Sequence, residues 1–323
     1  MTSRDSAQRV LLGSFPTPVE NAPRLAAAVG LAPGRLWIKR DDLTGLGAGG
    51  NKVRKLERIL AAARREGADT VVTTGAAQSN HARLTAAAAA RMGLRAVLVL
   101  AGAPAAQPAG NLLLDELFGA QVRWVPDAEA RTLSVVADET AAELTAAGRR
   151  AFVVPFGGSS PDGASAYADA AAELEGQLPG ATSVVALGSG GTMAGLVATL
   201  GACRVLGVHV GAVPDPRAAV ASLVSAISGP VDASRLRVRM DQVGAAYGVL
   251  ARGAAAAVRL AARTEGIVLD PTYTGRALAG LMAAIRDGEL ADDEPIVFWH
   301  TGGLPGLFGH AQTTELVTGV AAS

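Results

Sequence analysis

Cysteine occurs only once in this chain of 323 residues, at position 203. One thiol excludes an intramolecular disulfide framework and a metal site built from a cluster of cysteines. Because Cys203 lies in the apolar run Cys-Arg-Val-Leu-Gly-Val, we expect a buried strand residue rather than a nucleophile. The His, Asp and Glu residues show no spacing typical of metal ligands, so no metal is expected.

The chain also lacks an excess of charge of either sign. Lys and Arg total 29, Asp and Glu total 29, and neither terminus carries an acidic or basic tail. Proteins that bind nucleic acid or anionic membrane surfaces through charge alone have a basic excess. The composition therefore predicts neither a nucleic-acid partner nor a membrane partner.

Long hydrophobic runs are missing as well. Arg or Thr interrupts the Ala-rich stretches at short intervals, for example at Arg83, Thr85 and Arg91, so no run reaches the length of a membrane span. The first five residues are polar, and no hydrophobic signal-peptide core follows them. We expect a soluble cytoplasmic protein.

What the chain does contain is a regular alternation of short β-branched runs and Ala-rich stretches. Residues 82–92 are predicted to form a helix, and strands are predicted at residues 70–74, 96–100, 122–125, 152–154, 183–187, 205–208 and 296–299. Strands that are apolar throughout are covered on both faces, as in parallel sheets flanked by helices. The alternation predicts an α/β fold.

One lysine is unusual in its position. Lys52 follows Gly49-Gly50-Asn51, a flexible turn at a predicted helix start. Cations are disfavoured there, because the helix N-terminus already carries partial positive charge. The same field helps a lysine lose its proton and act as an amine nucleophile toward a carbonyl cofactor. Taken alone, the motif also fits a solvated surface lysine.

A glycine-rich turn separates a predicted strand from a predicted helix; this glycine loop consists of Gly188, Ser189, Gly190, Gly191 and Thr192. Its backbone N–H groups and the helix end suit a phosphate. Its spacing matches neither the dinucleotide fingerprint nor the nucleoside-triphosphate loop. A small phosphorylated cofactor fits better than NAD or ATP. The alternative is a tight turn that needs glycine for backbone reasons alone.

Polar residues occupy three further connections. Gln78-Ser79-Asn80-His81 lies between a strand and a helix, where α/β sheets place ligands, and suits a substrate carboxylate as well as a helix N-cap. Tyr247 and Tyr273 would exchange protons with a substrate if their pKa values were lowered. His300, after the last strand, is interpreted as a hydrogen-bonded core histidine.

Together these residues resemble the pyridoxal-phosphate enzymes of the tryptophan-synthase-β-like fold, and within them the family of D-cysteine desulfhydrases and 1-aminocyclopropane-1-carboxylate deaminases. The likeness runs from about residue 15 to residue 309. The matching segments keep the family's order along the chain, at residues 39–44, 49–57, 78–81, 188–192, 270–273 and 300–309.

The resemblance implies a two-domain, open parallel-sheet α/β fold of fold type II. The larger, cofactor-binding domain would combine residues 1–53 and 158–323, and the smaller α/β domain would span residues 54–157. Pyridoxal 5'-phosphate would lie in the cleft between them. A homodimer is also implied.

The resemblance further implies roles for single residues. Lys52 would bind the cofactor covalently and later move protons at the substrate Cα. Lys55 and the glycine loop would hold the cofactor phosphate, and Asn80 would bind the ring 3-hydroxyl. The predicted substrate-binding residues are Ser79, Asn80, His81, Tyr247 and Tyr273. The predicted catalytic residues are Lys52, Ser79, Tyr247 and Tyr273.

Two cofactor-binding positions discriminate within the family. Cyclopropane deaminases have Glu after the second tyrosine and Leu after the His of the last-strand motif. This chain has Thr274 and Thr301 there, which is the desulfhydrase pattern. A carboxylate near the pyridine nitrogen makes the ring a strong electron sink, which helps to open a carbon ring. A threonine hydroxyl suffices where a good leaving group departs from Cβ.

The sequence therefore predicts a β-elimination lyase that converts D-cysteine to pyruvate, ammonia and sulfide. The alternatives left open are a cysteate sulfo-lyase, a 1-aminocyclopropane-1-carboxylate deaminase and a synthase that replaces the β-substituent. A non-catalytic binding protein on the same fold is a further alternative, which the retained Lys52 disfavours.

Overall fold

Strands and helices alternate along the chain and build two separate sheets in the computed structural model, which describes residues 9–290 and 294–318. Within those residues the strands are β1 (Val19–Asn21), β2 (Leu36–Lys39), β3 (Thr70–Ala76), β4 (Arg95–Ala101), β5 (Gln121–Val125), β6 (Ala151–Val153), β7 (Thr182–Leu187), β8 (Val205–His209), β9 (Arg237–Arg239) and β10 (Ile296–Trp299).

The helices that flank the sheets begin and end in the loops between these strands. Within the described residues they are α1 (Pro23–Ala28), α2 (Lys52–Arg65), α3 (Asn80–Met92), α4 (Asn111–Leu117), α5 (Ala130–Ala146), α6 (Pro161–Gln177), α7 (Gly191–Leu200), α8 (Pro216–Ser228), α9 (Arg252–Glu265), α10 (Thr274–Arg286), α11 (Leu304–Phe308) and α12 (Glu315–Thr318). No helix among the described residues is both long and apolar enough to cross a bilayer.

The smaller sheet is entirely parallel. Its strands lie in the order β5-β4-β3-β6. In the centre, Thr70 of β3 is in register with Arg95 of β4 on one side and with Ala151 of β6 on the other. Apolar side chains of α2 and α3 cover one face, and α5 covers the other through Leu133 and Ala137. Burial on both faces explains why these strands are apolar throughout.

The larger sheet has the strand order β1-β2-β10-β7-β8-β9 among the described residues. All neighbours are parallel except β1, which pairs antiparallel with β2 at the edge. Helices α9 and α10 cover one face, and α6, α7 and α8 cover the other. The predicted α/β class with parallel sheets is confirmed.

Each strand predicted from the sequence is present, with ends that differ by at most two residues. The sequence did not predict β1, β2 and β9, because they have only three or four residues and carry charged or polar side chains. The prediction that Cys203 is a buried strand residue is wrong. Its thiol is exposed, in a 3-10 turn (Ala202–Arg204) that precedes β8. The predicted domain boundaries stay predictions, although every strand of the smaller sheet lies between Thr70 and Val153.

A buried ionic network fixes the first turn of α2. Arg54 donates from Nε and Nη2 to the carboxylate of Asp41, at 3.1 and 3.0 Å. Its Nη1 and Nη2 both donate to the carboxylate of Glu173 on α6, at 2.9 Å. The ring of Phe15 packs against the guanidinium, 4.3 Å from the ring centroid. Such bidentate pairs restrict the orientation of the guanidinium as well as its distance from the carboxylate.

The same network reaches the end of β2. Lys39 donates to Glu173 at 2.5 Å and to the carbonyl oxygen of Thr17 at 2.7 Å. The hydroxyl of Tyr167, on α6, donates to Asp41. Lys39, Asp41 and Tyr167 are fully buried. The start of α2 is therefore tied to the larger sheet and to α6.

Loss of Arg54 should be costly, because it removes the guanidinium partner of the buried Asp41 carboxylate and one of the two cationic partners of the partly buried Glu173. We expect Arg54→Met to lower the free energy of unfolding by about 3–5 kcal/mol. Urea denaturation measures the change. The matched control is Arg58→Met, one turn further along α2, where the arginine pairs with the exposed Asp169. That variant should lose less than about 1 kcal/mol. Equal losses in the two variants would contradict a structural role for the network.

Candidate active site

The carboxyl ends of strands from both sheets face one cleft, as expected for ligand sites in open α/β sheets. All but two of the residues predicted from the sequence line it. They are Lys52, Lys55, Ser79, Asn80, His81, Gly188, Ser189, Gly190, Thr192, Tyr247, Tyr273 and Thr301. Gly191 and Thr274 do not line the cleft, and their predicted roles stay predictions.

Lys52 is the first residue of α2, as the sequence predicts, and its amine opens onto the cleft. The preceding turn needs glycine. A Cβ on Gly49 would lie 1.9 Å from the Asp42 carbonyl oxygen, and Gly50 has φ of 128°. The backbone N–H of Asn51 then donates to the carbonyl oxygen of Thr301 at 3.0 Å. These contacts hold Lys52 against the end of β10.

The chain contains three lysines, and their environments differ. Lys39 is buried and forms an ion pair with Glu173, away from the cleft. Lys55 is buried and donates to the carbonyl oxygen of Gly157 at 3.3 Å. Burial lowers the pKa of Lys52 to about 8, against a smaller opposing effect of its hydrogen bond with Lys55. Burial and the neighbouring Lys52 hold the pKa of Lys55 well below its usual range. Both cleft lysines therefore lose a proton more readily than a solvated lysine, and Lys55 is the one of the two that donates to a backbone carbonyl oxygen.

The glycine loop connects β7 to α7, and its position between strand and helix is confirmed. The Gly191 N–H donates to Ser159 Oγ at 3.2 Å, and Ser159 Oγ lies 2.8 Å from Ser189 Oγ. Asn51 Nδ2 donates to Thr192 Oγ1 at 3.0 Å, which links the loop to the Lys52 turn. The sequence did not single out Ser159 or Asn51 as site residues. Each lies beside a glycine pair, which was the only available signal.

Ser79 and His81 lie at the start of α3, and both line the cleft. Ser79 is the N-cap of α3, where its Oγ accepts the Ala82 N–H at 3.1 Å, so the hydroxyl hydrogen is free to donate. His81 Nε2 pairs with Thr73 Oγ1 at 2.9 Å. Burial and the neighbouring Lys52 and Lys55 hold the pKa of His81 well below its usual value, so the ring is neutral. Its Nδ1 is buried and has no hydrogen-bond partner among the described residues.

A chain of hydrogen bonds fixes which end of the Asn80 amide faces the cleft. Arg83 Nε, which can only donate, binds Asn111 Oδ1 at 3.0 Å. Asn111 Nδ2 donates to the carbonyl oxygen of Gln78 and to Asn80 Oδ1, both at 3.0 Å. The Asn80 oxygen is therefore occupied, and its NH₂ group is the end left for a ligand. The sequence did not predict Arg83 and Asn111, because residue 111 lies 31 positions from Asn80 on a different helix.

The two tyrosines contact each other. Their hydroxyl groups share a hydrogen bond, and their rings pack edge to face with centroids 6.1 Å apart. Burial raises the pKa of Tyr247 and holds the pKa of Tyr273 well above its usual value. The expected proton exchange was conditional on lowered tyrosine pKa values, and that condition is not met. Both phenols stay protonated at neutral pH and are donors rather than bases.

One carboxylate and one guanidinium position the tyrosines. The Asp270 carboxylate accepts the N–H of Tyr273 at 2.8 Å and the hydroxyl of Thr274 at 2.7 Å. The Thr274 hydroxyl is thereby turned to the helix start and not to the cleft. Arg276, fully buried on α10, donates to the carbonyl oxygens of Ala246 and Val249 at 2.8 and 2.7 Å. These carbonyls flank Tyr247. His300 is buried and bound to a backbone carbonyl oxygen, as its interpretation requires.

The residues around the cleft fit a small aldehyde that carries a phosphate. A Cβ on Gly157 would lie 2.2 Å from Ser189 Oγ and 3.8 Å from Lys52 Nζ. A Cβ on Gly191 would lie 2.8 Å from Lys55 Nζ. Glycine at both places leaves room beside the two lysines. The N–H groups at the start of α7 and the Lys55 amine suit a phosphate, and Lys52 suits an aldehyde.

Comparison with known proteins agrees with this fit. A family model described as "Pyridoxal-phosphate dependent enzyme" matches residues 10–302. The chain is 42% identical over 319 residues to a D-cysteine desulfhydrase of Klebsiella pneumoniae (strain 342), covering 94% of this chain and 96% of that protein. It is equally identical over 325 residues to a D-cysteine desulfhydrase of Salmonella schwarzengrund (strain CVM19633), with the same coverage.

Solved structures give the same picture of the fold. The crystal structure described as that of the ACC deaminase homologue superposes with a TM-score of 0.88 at 37% identity, covering 99% of this chain and 100% of that chain. An O-ureido-L-serine synthase superposes with a TM-score of 0.66 at 20% identity, covering 97% of this chain and 95% of that chain. The second likeness concerns the fold alone.

The lowered pKa of Lys52 has a direct signature in the cofactor-free protein. Acetic anhydride should acetylate this amine half-maximally near pH 8, because burial disfavours its charged form; an ordinary lysine would do so near 10.5. Peptide mass spectrometry after brief labelling at a series of pH values measures the profile. The ion-paired Lys39 serves as control and should stay unlabelled. A Lys52 midpoint near 10.5 would contradict the assignment.

The hold of Arg276 on the Tyr247 segment is testable separately. We expect Arg276→Leu to raise amide hydrogen exchange in residues 241–250 by about tenfold, because the two carbonyl oxygens lose their common donor. Hydrogen–deuterium exchange with mass spectrometry measures it. Arg286→Leu, an exposed position on the same helix, is the matched control and should leave that segment unchanged. Exchange that is equal in both variants would contradict a positioning role for Arg276.

Proposed function

The chain belongs to the pyridoxal-phosphate dependent enzymes, and from this premise we propose that it is a lyase that eliminates the Cβ substituent of a small amino acid. The proposed substrate is D-cysteine, and the products are pyruvate, ammonia and sulfide. The observation that carries the proposal is the Lys52 amine, whose pKa is lowered to about 8 in a cleft that it shares with two protonated tyrosines.

Two comparisons support this choice of reaction. The chain is 42% identical, over nearly its whole length, to proteins named D-cysteine desulfhydrase. Thr274 and Thr301 occupy the positions where the cyclopropane deaminases have Glu and Leu. Thr301 lines the cleft, which supports a contact between its hydroxyl and a ligand, and no carboxylate is among the residues that line the cleft in the described part of the chain.

Proton transfer at the substrate Cα is assigned to Lys52. Bound pyridoxal phosphate supplies an aldehyde that bonds the substrate amino group and a conjugated ring that accepts electrons from a broken Cα–H bond. Lys52 is the residue that holds the cofactor at rest. A general base works best when its pKa lies near the working pH, and the lowered pKa of Lys52 meets that condition.

Binding of the substrate carboxylate is assigned to Ser79, Asn80 and His81. They form the start of α3, where backbone N–H groups and the helix dipole favour an anion. Ser79 has a free hydroxyl hydrogen. The Thr73 hydroxyl donates to the Val154 carbonyl oxygen, so Thr73 Oγ1 accepts the Nε2–H of the neutral His81 ring, and His81 is proposed to bind through its backbone N–H in the first turn of the helix. The NH₂ end of Asn80 is proposed to donate to the ring 3-oxygen of the cofactor.

Protonation of the leaving group is assigned to the tyrosine pair. With raised pKa values, Tyr247 and Tyr273 keep their protons at neutral pH. Their shared hydrogen bond lets one phenol donate while the other stabilises it. A proton delivered to sulfur makes the departing group a neutral or singly charged species, which leaves more readily than a dianion.

The cofactor phosphate is assigned to Lys55, the glycine loop and Ser159. Lys55 supplies a donor on the same helix as Lys52, three residues further along. Residues three apart on a helix lie on the same face, so both amines reach one ligand. Thr274 and Gly191, which do not line the cleft, are proposed to act through backbone placement at the starts of α10 and α7.

A second candidate function is opening of the cyclopropane ring of 1-aminocyclopropane-1-carboxylate. The likeness to the structure of the ACC deaminase homologue, at 37% identity, favours it. It is ranked second because neither Thr274 nor Thr301 supplies a carboxylate to the ring nitrogen. Elimination of sulfite from cysteate and replacement of the β-substituent use the same first half-reaction and remain outcomes of the assay.

A cytoplasmic homodimer remains part of the proposal. Exposed apolar side chains on two adjacent helices support an interface between copies. Leu113 and Leu117 on α4 are 44% and 70% exposed, and Leu304 and Phe308 on α11 are 41% and 68% exposed. Apolar patches of this kind are rare on the free surfaces of monomers.

The assay that tests the proposal mixes the purified holoenzyme with D-cysteine, L-cysteine, D-cysteate and the cyclopropane amino acid. We expect equal amounts of sulfide and pyruvate from D-cysteine. Lys52→Ala should reduce kcat/KM by more than about 100-fold, because the base assigned to the Cα proton is lost. Lys52→Arg, which keeps the positive charge, should be equally impaired.

A different outcome would replace the proposed reaction. Formation of 2-ketobutyrate from the cyclopropane substrate without pyruvate from D-cysteine would favour the second candidate. Product that appears only when a second thiol or amine is added would favour β-replacement.

A further inference from the structure

One buried arginine holds the turn that leads into Lys52. Arg83 lies on α3 and is fully buried. Its Nη1 donates to the carbonyl oxygens of Gly47 and Gly49, the second at 3.2 Å. Lys52 begins α2 directly after this turn. Arg83 therefore supports the backbone from which the Lys52 side chain extends.

The same guanidinium orients the Asn80 amide through an intermediate residue. Its Nε donates to Asn111 Oδ1 at 3.0 Å, so the Asn111 amide presents its Nδ2 group to Asn80 Oδ1, also at 3.0 Å. Gln78 secures Asn111 further. Its Oε1 accepts the Asn111 N–H at 2.9 Å, and its carbonyl oxygen accepts from Asn111 Nδ2 at 3.0 Å. A flip of the Asn111 amide would break each of its side-chain hydrogen bonds.

Arg83 keeps its positive charge in this buried place. Burial lowers the pKa of Arg83 to about 10, which leaves the guanidinium charged at neutral pH. Asp115 on α4 is buried as well, and burial raises its pKa to about 8 against the opposing effect of Arg83. This carboxyl is thus mostly uncharged at neutral pH. A charged donor strengthens the hydrogen bonds of the chain that it begins, here the one through Asn111 to Asn80.

We propose that Arg83 is a positioning residue that holds the Lys52 amine and the Asn80 amide in register for one cofactor molecule. It acts on the first through the two glycine carbonyls and on the second through Asn111. The inference rests on the role proposed for Asn80, donation to the ring 3-oxygen, and deepens it. The aldehyde and the 3-oxygen occupy adjacent carbons of the cofactor ring, so their two protein partners need a fixed separation. Arg83 binds the supports of both.

The first test compares two ligands of the apoenzyme, pyridoxal phosphate and 3-deoxypyridoxal phosphate, which lacks the ring 3-oxygen. Fluorescence titration gives the dissociation constant of each. Asn111→Asp keeps the side-chain size and the bond from Arg83 but offers Asn80 an acceptor in place of a donor, which should turn the Asn80 oxygen toward the cleft. We expect the dissociation constant to rise by about tenfold for pyridoxal phosphate and to stay unchanged for the deoxy compound.

The second test separates Arg83 from Asn111 in the apoenzyme. Arg83→Met should raise amide hydrogen exchange in residues 44–51 by about tenfold, because two carbonyl oxygens of the turn lose their donor. Asn111→Asp should leave the exchange of that segment unchanged. Arg83→Met should also weaken binding of both ligands, and of pyridoxal phosphate more, because it acts on Lys52 and on Asn80.

Two further variants guard these readouts. Arg91→Met, an exposed position in the last turn of the same helix, is the matched control and should change neither ligand binding nor the exchange of residues 44–51. Arg83→Lys keeps the positive charge but lacks the planar fork of donors. It should act in the same direction as Arg83→Met and serves if that variant folds poorly.

The outcomes separate this inference from the proposed function, with Asn80→Ala as the reference that removes the proposed donor itself. If Asn80→Ala discriminates between the two ligands and Asn111→Asp does not, the inference is overturned and the role of Asn80 stands. Unchanged exchange of residues 44–51 in Arg83→Met also overturns it. If Asn80→Ala weakens both ligands equally, the proposed contact with the 3-oxygen is wrong and the inference falls with it. Absence of pyruvate in the amino-acid assay, with the binding results as expected, overturns the elimination alone.

Discussion

The structure depends on how the first turn of one helix is anchored. Successive residues of an α-helix are about 100° apart, so residues two apart point in nearly opposite directions and residues three apart share a face. Arg54 therefore faces away from Lys52 and enters the buried network with Asp41 and Glu173. Lys52 and Lys55 share the other face and reach the cleft. The network fixes the rotation of the helix and with it the direction of both amines.

That orientation places two amines in a region of positive potential, which disfavours their charged forms and favours a reactive neutral amine. Two lysines lie together near the starts of α3 and α7, where helix dipoles add positive potential. Desolvation lowers the pKa of both lysines, and the neighbouring Lys52 lowers the pKa of Lys55 further, which leaves a neutral amine available. An anion bound here would reduce the positive potential around the two lysines. A molecule with both a phosphate and an aldehyde would supply this anion and also react with the neutral amine. A cofactor of this kind thus stabilises the site that it completes.

Much of this site could be predicted from the sequence, because its residues are encoded locally. A lysine after two glycines, a glycine loop after a strand and a polar segment before a helix are short patterns with a physical meaning. Arg83, Asn111 and Arg276 escaped prediction, because each acts on a segment that only the fold brings near. The tyrosine pKa values depend on burial, which no short pattern shows. Cys203 was misplaced, because an apolar run does not reveal where its strand begins.

Attachment of the cofactor to the Lys52 amine underlies every role proposed for the cleft, and reduction of the holoenzyme followed by peptide mapping tests it. Borohydride treatment of the holoenzyme makes the attachment permanent, and trypsin then separates the three lysines. Modified Lys52 resists cleavage and appears in a peptide of residues 41–54, whereas modified Lys55 would appear in residues 55–58. We predict the pyridoxyl-phosphate mass on the first peptide alone. The presence of this mass on Lys39 or Lys55, or its absence from all three lysines, would overturn the assignment of Lys52.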